Sequence, residues 1–282
     1  MTLLAHAKIN LGLQILRRRD DGYHDIETVF HRVGIADEIA FGKKERGIRF
    51  TCDDPAMPVD EGNLCVRAAR ALFEATGYDG GIGIDLRKRI PAGAGLGGGS
   101  ADAAAVLRAA IALLDISIAE DDLHGIAAGL GSDVPYFLHP GSAHATGRGE
   151  LLSYFDLRLP YWIVVVYPGV HVSTPWAYGQ FRPDAALPRR NLRELLLTHI
   201  DDPVTLVNTL RNDFEPIVFR AHEDVMRAKE ILYRTGADFA LMSGSGSSVF
   251  GLFRDESYAR ESAAFFAKTW PAFLTPPYFT PA

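Results

Sequence analysis

A chain of 282 residues is longer than an ordinary single domain and suits two domains packed together, and its 48% apolar content excludes a disordered chain. Its 29 basic against 35 acidic side chains, a net charge of −6, argue against nucleic acid as a partner. Cys52 and Cys65 are the only cysteines, too few for a secreted disulfide scaffold and without the spacing of a structural zinc site, so they read as reduced thiols in a cytosolic, cytoplasmic protein. The first residues lack signal-peptide order, and the apolar run at 161–167 is far too short to span a bilayer, so no membrane association is expected.

Residues 5–15 alternate. Ala5, Ala7, Ile9, Leu11, Leu13 and Ile15 share one face; His6, Lys8, Asn10, Gly12 and Gln14 share the other. This predicts a strand with one face in a core, and it points Lys8 and Asn10 the same way. The mixed charges at 17–21 read as a solvated turn. Further strands are expected at 23–33, 36–42, 48–52 and 82–88, with a helix at 63–76, giving a largely antiparallel start. A helix is predicted at 100–114, with Ser100 as N-cap and Asp102 in the first turn, where the helix dipole favours an acid. Another covers 119–129, and Gly131-Ser132-Asp133-Val134-Pro135 opens a short further one. Near 155 the texture changes. An apolar strand at 161–167 stops at Pro168-Gly169, and 175–230 is mostly helical around a Pro-rich loop at 183–188. A strand at 238–242, a Gly/Ser loop at 243–248, a strand at 249–253 and a closing helix at 255–268 complete the pattern. The expectation is α+β with two domains, 1–153 and 154–282.

The most informative stretch is Pro91-Ala92-Gly93-Ala94-Gly95-Leu96-Gly97-Gly98-Gly99-Ser100. Its glycines let backbone approach a bulky ligand without Cβ atoms in the way. The loop feeds directly into a helix N-terminus, whose unpaired N–H groups and partial positive charge form an anion site, most often for phosphate. A flexible connector needs neither an N-cap nor an Ala-rich helix behind it. GxxxxGK[ST] is absent. GxGxxG is matched by Gly93, Gly95 and Gly98, but the strand before it alternates, and a turn and helix follow at 115–131 in place of a parallel strand, so a dinucleotide fold is disfavoured.

Pro-x-x-x-Gly-Leu-Gly-Gly-Gly-Ser ahead of an Ala-rich helix resembles the phosphate loop of the GHMP kinases, which phosphorylate galactose, homoserine, mevalonate and related small molecules. Ala7-Lys8-Ile9-Asn10-Leu11, Asp21-Gly22-Tyr23-His24, Gly131-Ser132-Asp133-Val134-Pro135 and Ser243-Gly244-Ser245-Gly246 resemble further motifs of the family, in one order over residues 7–250. The first three of these narrow the resemblance to a branch acting on a cytidine-diphosphate-linked polyol. The resemblance implies a two-domain α+β GHMP kinase fold: an N-terminal ribosomal-protein-S5-domain-2-like α/β domain that binds ATP, and a C-terminal ferredoxin-like domain. It also implies an active site in the cleft between them, with ATP and Mg2+ required.

Carried over residue by residue, the resemblance makes Asp133 the group that orients and deprotonates the acceptor hydroxyl. Lys8 is expected beside it, stabilising the developing alkoxide, and Asn10 holds the substrate near both. Tyr23 and His24 are expected to stack on and read the cytosine, with Tyr178 closing the other side and Thr174 nearby. Pro91, Ala92, Gly93, Ala94, Gly95, Leu96, Gly97, Gly98, Gly99, Ser100 and Ala101 would bind ATP, with Asn63 near the adenine. No metal ligand is assigned. The plainer readings are an acid at a helix start for Asp133, a surface lysine for Lys8, a core ring for Tyr178 and an N-cap for Asn63. Ala101 stands where many relatives have a second serine, and Tyr178 where some have phenylalanine. Two other functions are weighed. A homoserine kinase-like enzyme has no use for the 21–24 segment, since its substrate has no base to stack. A non-catalytic ligand-binding module has no use for Lys8 and Asp133.

Overall fold

A computed structural model describes residues 1–182 and 189–281. In chain order the elements are β1 (Thr2–Arg18), β2 (His24–Lys44), β3 (Gly47–Cys52), α1 (Leu64–Thr76), β4 (Gly81–Arg87), α2 (Gly98–Leu114), α3 (Glu120–Leu130), a 3-10 helix (Pro135–Leu138), β5 (Ser142–Thr146), β6 (Leu151–Phe155), β7 (Trp162–Val166), α4 (Thr174–Gln180), α5 (Leu192–His199), α6 (Pro203–Thr209), α7 (Glu215–Ala221), α8 (Glu223–Arg234), β8 (Phe239–Met242), β9 (Val249–Phe253), α9 (Glu256–Phe266) and β10 (Ala272–Thr275). The expected Pro-rich loop at 183–188 lies outside the described residues. Among the described residues no helix is long and apolar enough to cross a membrane.

The chain forms two compact units. The first contains Met1–Ala7, Ala36–Ile90 and Gly97–Pro140. In it, Glu38–Lys44 of β2 runs antiparallel to β4, and β3 runs parallel to β4. Helices α1 and α2 pack together, and both bury small side chains, Ala68 and Ala69 on one and a run of alanines on the other. Helix α1 is capped at its start by Asn63 and at its end by left-handed Gly77.

The second unit contains Lys8–Ile35, Pro91–Leu96 and the chain from Gly141 onward. Residues Thr28–Phe30 of β2 pair with β5, and β5 forms a hairpin with β6. A separate antiparallel sheet has the order β10-β7-β9-β8. Helices α8 and α9 pack against it, and the succession β7-α8-β8-β9-α9-β10 is the βαββαβ pattern of a ferredoxin-like fold. Its core includes Val164, Val166, Phe214, Leu232, Phe253 and Phe266.

Several expectations are corrected. Residues 24–44 form one strand, β2, where two were expected, because Gly34-Ile35-Ala36 carries no turn chemistry. Residues 5–15 are buried on both faces, with Lys8 and Asn10 only 3% and 2% exposed. Helix α2 begins at Gly98, and its cap is Gly97 in the left-handed region (φ 71°), with no side-chain cap. Ser100 therefore lies inside the first turn, and Asp102 lies beyond it. The β5–β6 hairpin was not anticipated, although Gly147-Arg148-Gly149-Glu150 is its turn signal. The last helix is followed by β10, which completes the second sheet.

Candidate functional site

In the second unit Lys8 and Asn10 open a buried polar network on β1. Lys8 Nζ donates to Asn10 Oδ1 at 2.6 Å and lies 4.8 Å from the Phe30 ring centre. Asn10 Nδ2 donates to Thr28 Oγ1 at 2.8 Å, and Thr28 passes the chain on to Gly12 O at 2.6 Å. A buried ammonium held by an amide and an aromatic face keeps a fixed direction, which a surface lysine does not.

Residues 91–96 of the glycine loop are held through their carbonyls. Lys8 N donates to Leu96 O at 2.9 Å, Ser248 N to Ala94 O at 3.0 Å, and Ser243 Oγ to Gly95 O at 2.9 Å. Gly95 has φ +77°, and a Cβ there would run into the carbonyl oxygen of Ser243; at Gly93 it would run into the His171 ring. The 243–248 loop is fixed in turn by buried Asn212, whose Nδ2 donates to Met242 O at 2.8 Å and Gly244 O at 2.7 Å. Thr174 Oγ1 meets Ser245 Oγ at 2.8 Å. Ser243 and Asn212 are the hubs that residue-by-residue reading passed over as site members.

The aromatic residues divide into two contacts. His24 stacks on Tyr178, with ring centres 4.9 Å apart and planes 20° from parallel, and Tyr178 meets Phe214 edge-on at 4.9 Å. Tyr23 is exposed, and its ring carries the Arg148 guanidinium at 4.9 Å. The ring stacked on Tyr178 is thus that of His24. Burial, then the Arg18 charge, hold His24 below the usual histidine range. Its neutral imidazole offers one donor and one acceptor.

In the first unit the start of α2 leaves the N–H groups of Gly98, Gly99 and Ser100 without intrahelical acceptors, since the first helical bond runs from Ala101 N to Gly97 O at 2.9 Å. A Cβ on Gly98 would point inward, 2.8 Å from Ile90 Cγ2 and 3.4 Å from Lys88 Nζ. A bulky side chain there would disturb packing before it met any ligand. Asn63 is buried and committed at both ends of its amide, accepting from Cys65 N at 2.9 Å and donating to Pro58 O at 2.9 Å. Asp133 is half-buried in the turn that precedes the 3-10 helix, where Val134 N donates to Gly131 O at 3.1 Å.

Two family descriptions match the chain, GHMP kinases N terminal domain over residues 63–141 and GHMP kinases C terminal over residues 192–272. The protein class that fold and loops define is therefore that of the GHMP kinases. Relatives match along the full length. The 4-diphosphocytidyl-2-C-methyl-D-erythritol kinase of Chlorobium phaeobacteroides (strain BS1) is 46% identical over 99% of this chain and 98% of its own. The enzyme of the same name from Chlorobium phaeovibrioides is 47% identical over 99% and 97%. A crystal structure of 4-(cytidine 5'-diphospho)-2C-methyl-D-erythritol kinase superposes with a TM-score of 0.84 at 37% identity, covering 98% of each chain. The chain belongs to the GHMP kinase family and, within it, to the 4-diphosphocytidyl-2-C-methyl-D-erythritol kinases.

Proposed function

We propose that this protein transfers the γ-phosphoryl group of ATP to the 2-hydroxyl of 4-diphosphocytidyl-2-C-methyl-D-erythritol, a step of non-mevalonate isoprenoid precursor biosynthesis. The observation that carries this reading is the full-length identity to relatives bearing that kinase name. The family's motif residues stand in the chain, and Lys8 and Asn10 are buried in a polar network.

Phosphoryl transfer asks the protein for alignment, charge stabilisation and a proton acceptor. Asp133 takes the acceptor role, orienting the hydroxyl and receiving its proton. Lys8, directed by Asn10 and the Phe30 ring, stabilises the alkoxide charge. Residues 91–101 bind the phosphates, with the N–H groups at the start of α2 as donors. Asn63 shapes the adenine side through the loop it holds rather than through a spare amide group. Tyr23, His24, Thr174 and Tyr178 take the cytidine half of the substrate, while Asn10 holds the acceptor end beside Lys8: stacking needs only a flat ring, and the neutral His24 imidazole reads the polar edge of cytosine.

Mg2+, if brought with ATP, would supply charge neutralisation at the phosphates. Among the described residues no group of three His, Cys, Asp or Glu side chains is arranged to hold a metal. An ion carried mainly by phosphate oxygens and water needs no such cage, so the donor set fits it, and no residue is assigned as its ligand. Residues 1–153 as an ATP-binding domain, 154–282 as its C-terminal companion, and a cytoplasmic location complete the proposal. Competition by cytidine diphosphate against the substrate tests it. Inhibition at millimolar concentration supports the cytidine site; absence of inhibition leaves a kinase of another substrate.

A further inference from the structure

Three buried charged groups lie against the start of α2, and the roles set out above use none of them. Lys88 Nζ donates to Asp37 Oδ2 at 2.5 Å and to Asp102 Oδ2 at 2.9 Å. The side chains of Lys88, Asp37 and Asp102 are 7%, 0% and 2% exposed. Asp37 is well served, since its Oδ1 also accepts from Arg89 N at 2.5 Å and Ile90 N at 2.9 Å. Asp102 Oδ1 is buried with no hydrogen-bond partner. One ammonium between two carboxylates leaves a negative charge over, in a place where an unmatched charge is strongly unfavourable. Such a cluster becomes neutral by keeping one proton, and the poorly hydrogen-bonded carboxyl is the one to keep it. The cluster abuts the helix start, because a Cβ on Gly98 would lie 3.4 Å from Lys88 Nζ.

We propose that Asp102 is a neutral, protonated carboxyl at neutral pH, that with Lys88 and Asp37 it forms a charge-balanced mount beneath the start of α2, and that its ionisation in alkaline solution weakens ATP binding. The inference rests on the reading of the glycine loop as the ATP phosphate site; Asp102 is a positioning residue that touches no reacting atom. Burial pushes Asp102 up to about 8, opposed by the Lys88 charge and reinforced by Asp37, to which a protonated Asp102 can donate. The lysine and the thiols around Asp102 lie higher. Burial works against the Lys88 charge, but the two carboxylates outweigh it and the net shift is upward. Cys65 of α1 is raised well above the thiol range by burial and then by Asp102, and Cys52 at the end of β3 is raised by burial. Arg89 and Asp53 pair with one another at the surface. Asp102 is therefore the member whose charge changes between pH 7 and pH 9.5.

The experiment is calorimetric titration of ATP with Mg2+ into the wild type and Asp102→Asn at pH 7 and pH 9.5, with infrared spectra of each protein at both values. A unit charge about 12 Å from a phosphate charge, at an effective dielectric constant of about 20, corresponds to about a tenfold change in affinity. The Kd at pH 9.5 divided by that at pH 7 should be about ten for the wild type and about one for Asp102→Asn. Titration of the nucleotide's own phosphate is common to both proteins and cancels. A protonated-carboxyl band should be present in the wild type at pH 7, lost at pH 9.5, and missing from the variant. The infrared result stands on the wild type alone should the variant fold poorly. A ratio near one in the wild type, an equal ratio in both proteins, or no protonated-carboxyl band at pH 7 overturns the inference while the ATP reading survives. Failure of the wild type to bind ATP at either pH overturns that reading, and this inference with it.

Discussion

Alanine in place of Gly95 separates a built loop from a flexible connector. The residue has φ +77°, and the added Cβ would overlap the Ser243 carbonyl oxygen and lie 3.0 Å from Gly246 O. Holding a non-glycine residue in the left-handed region costs about 1–2 kcal/mol. The overlap adds about 1–3 kcal/mol, typical of forcing a methyl into packed surroundings. Ser243 has little room to retreat: its N donates to Ser248 O at 2.9 Å, its O accepts from Gly246 N at 3.0 Å, and its Oγ donates to Gly95 O at 2.9 Å. The total is about 2–5 kcal/mol. For a chain of this size 1 kcal/mol moves Tm by about 2–4 °C, so Gly95→Ala should lower Tm by about 4–20 °C. Scanning calorimetry measures it, with Gly42→Ala as control, since a Cβ at Gly42 meets nothing within 4 Å. A Tm for Gly95→Ala equal to that of the control would show that the two loops are not locked together and would refute the reasoning.

Removing the aromatic ring that stacks on the base, as Tyr178→Ala, should raise the substrate KM by about five- to a hundredfold, from about 1–3 kcal/mol per stacked base, with the KM for ATP little changed. Steady-state kinetics with both substrates decide this, and a parallel rise in both KM values would count against base stacking. His31 is fully buried, bonded through Nδ1 to Ser142 Oγ at 2.8 Å, and burial pushes it down to about 4. The unfolded chain therefore takes up the His31 proton first. The stabilisation is complete above about pH 6.5 and is lost as pH falls toward 4, an effect of about 3 kcal/mol. Urea unfolding of the wild type and His31→Gln at pH 7, 5 and 4 measures it; identical pH dependence in the two would remove His31 as the cause.

What the sequence made legible follows from where local rules dominate. The alternation of 5–15 located β1, and the glycine run followed by alanines located the phosphate-type loop and α2. Asn63 was readable as an N-cap, and the structure has it capping α1. The exact start of α2 was not legible. Ser100 is the better cap by side-chain chemistry, but a run of glycines reaches left-handed φ without penalty and let Gly97 cap the helix three residues earlier. The burial of Lys8 was not legible either, because alternation shows which residues share a face but not what covers it. Phe30 and Ser243, distant in sequence, do so. Ser243 and Asn212 act through backbone carbonyls, a role that leaves only an ordinary serine or asparagine in the sequence. The stacking of His24 on Tyr178, which brings the rim of the β1–β2 turn against α4, likewise depends on contacts between distant segments.

The central claim is the transfer itself, and the direct measurement is 31P NMR of the purified protein with ATP, Mg2+ and 4-diphosphocytidyl-2-C-methyl-D-erythritol. ADP should form together with one new phosphomonoester on the 2-hydroxyl of the polyol, the diphosphate link staying intact. Homoserine and mevalonate should give no product, and Asp133→Asn should be slower by about 10²–10⁴-fold, the usual loss of a proton acceptor. Phosphorylation of homoserine in preference to the cytidine compound, or ADP formed at the same rate without any acceptor, would contradict the account.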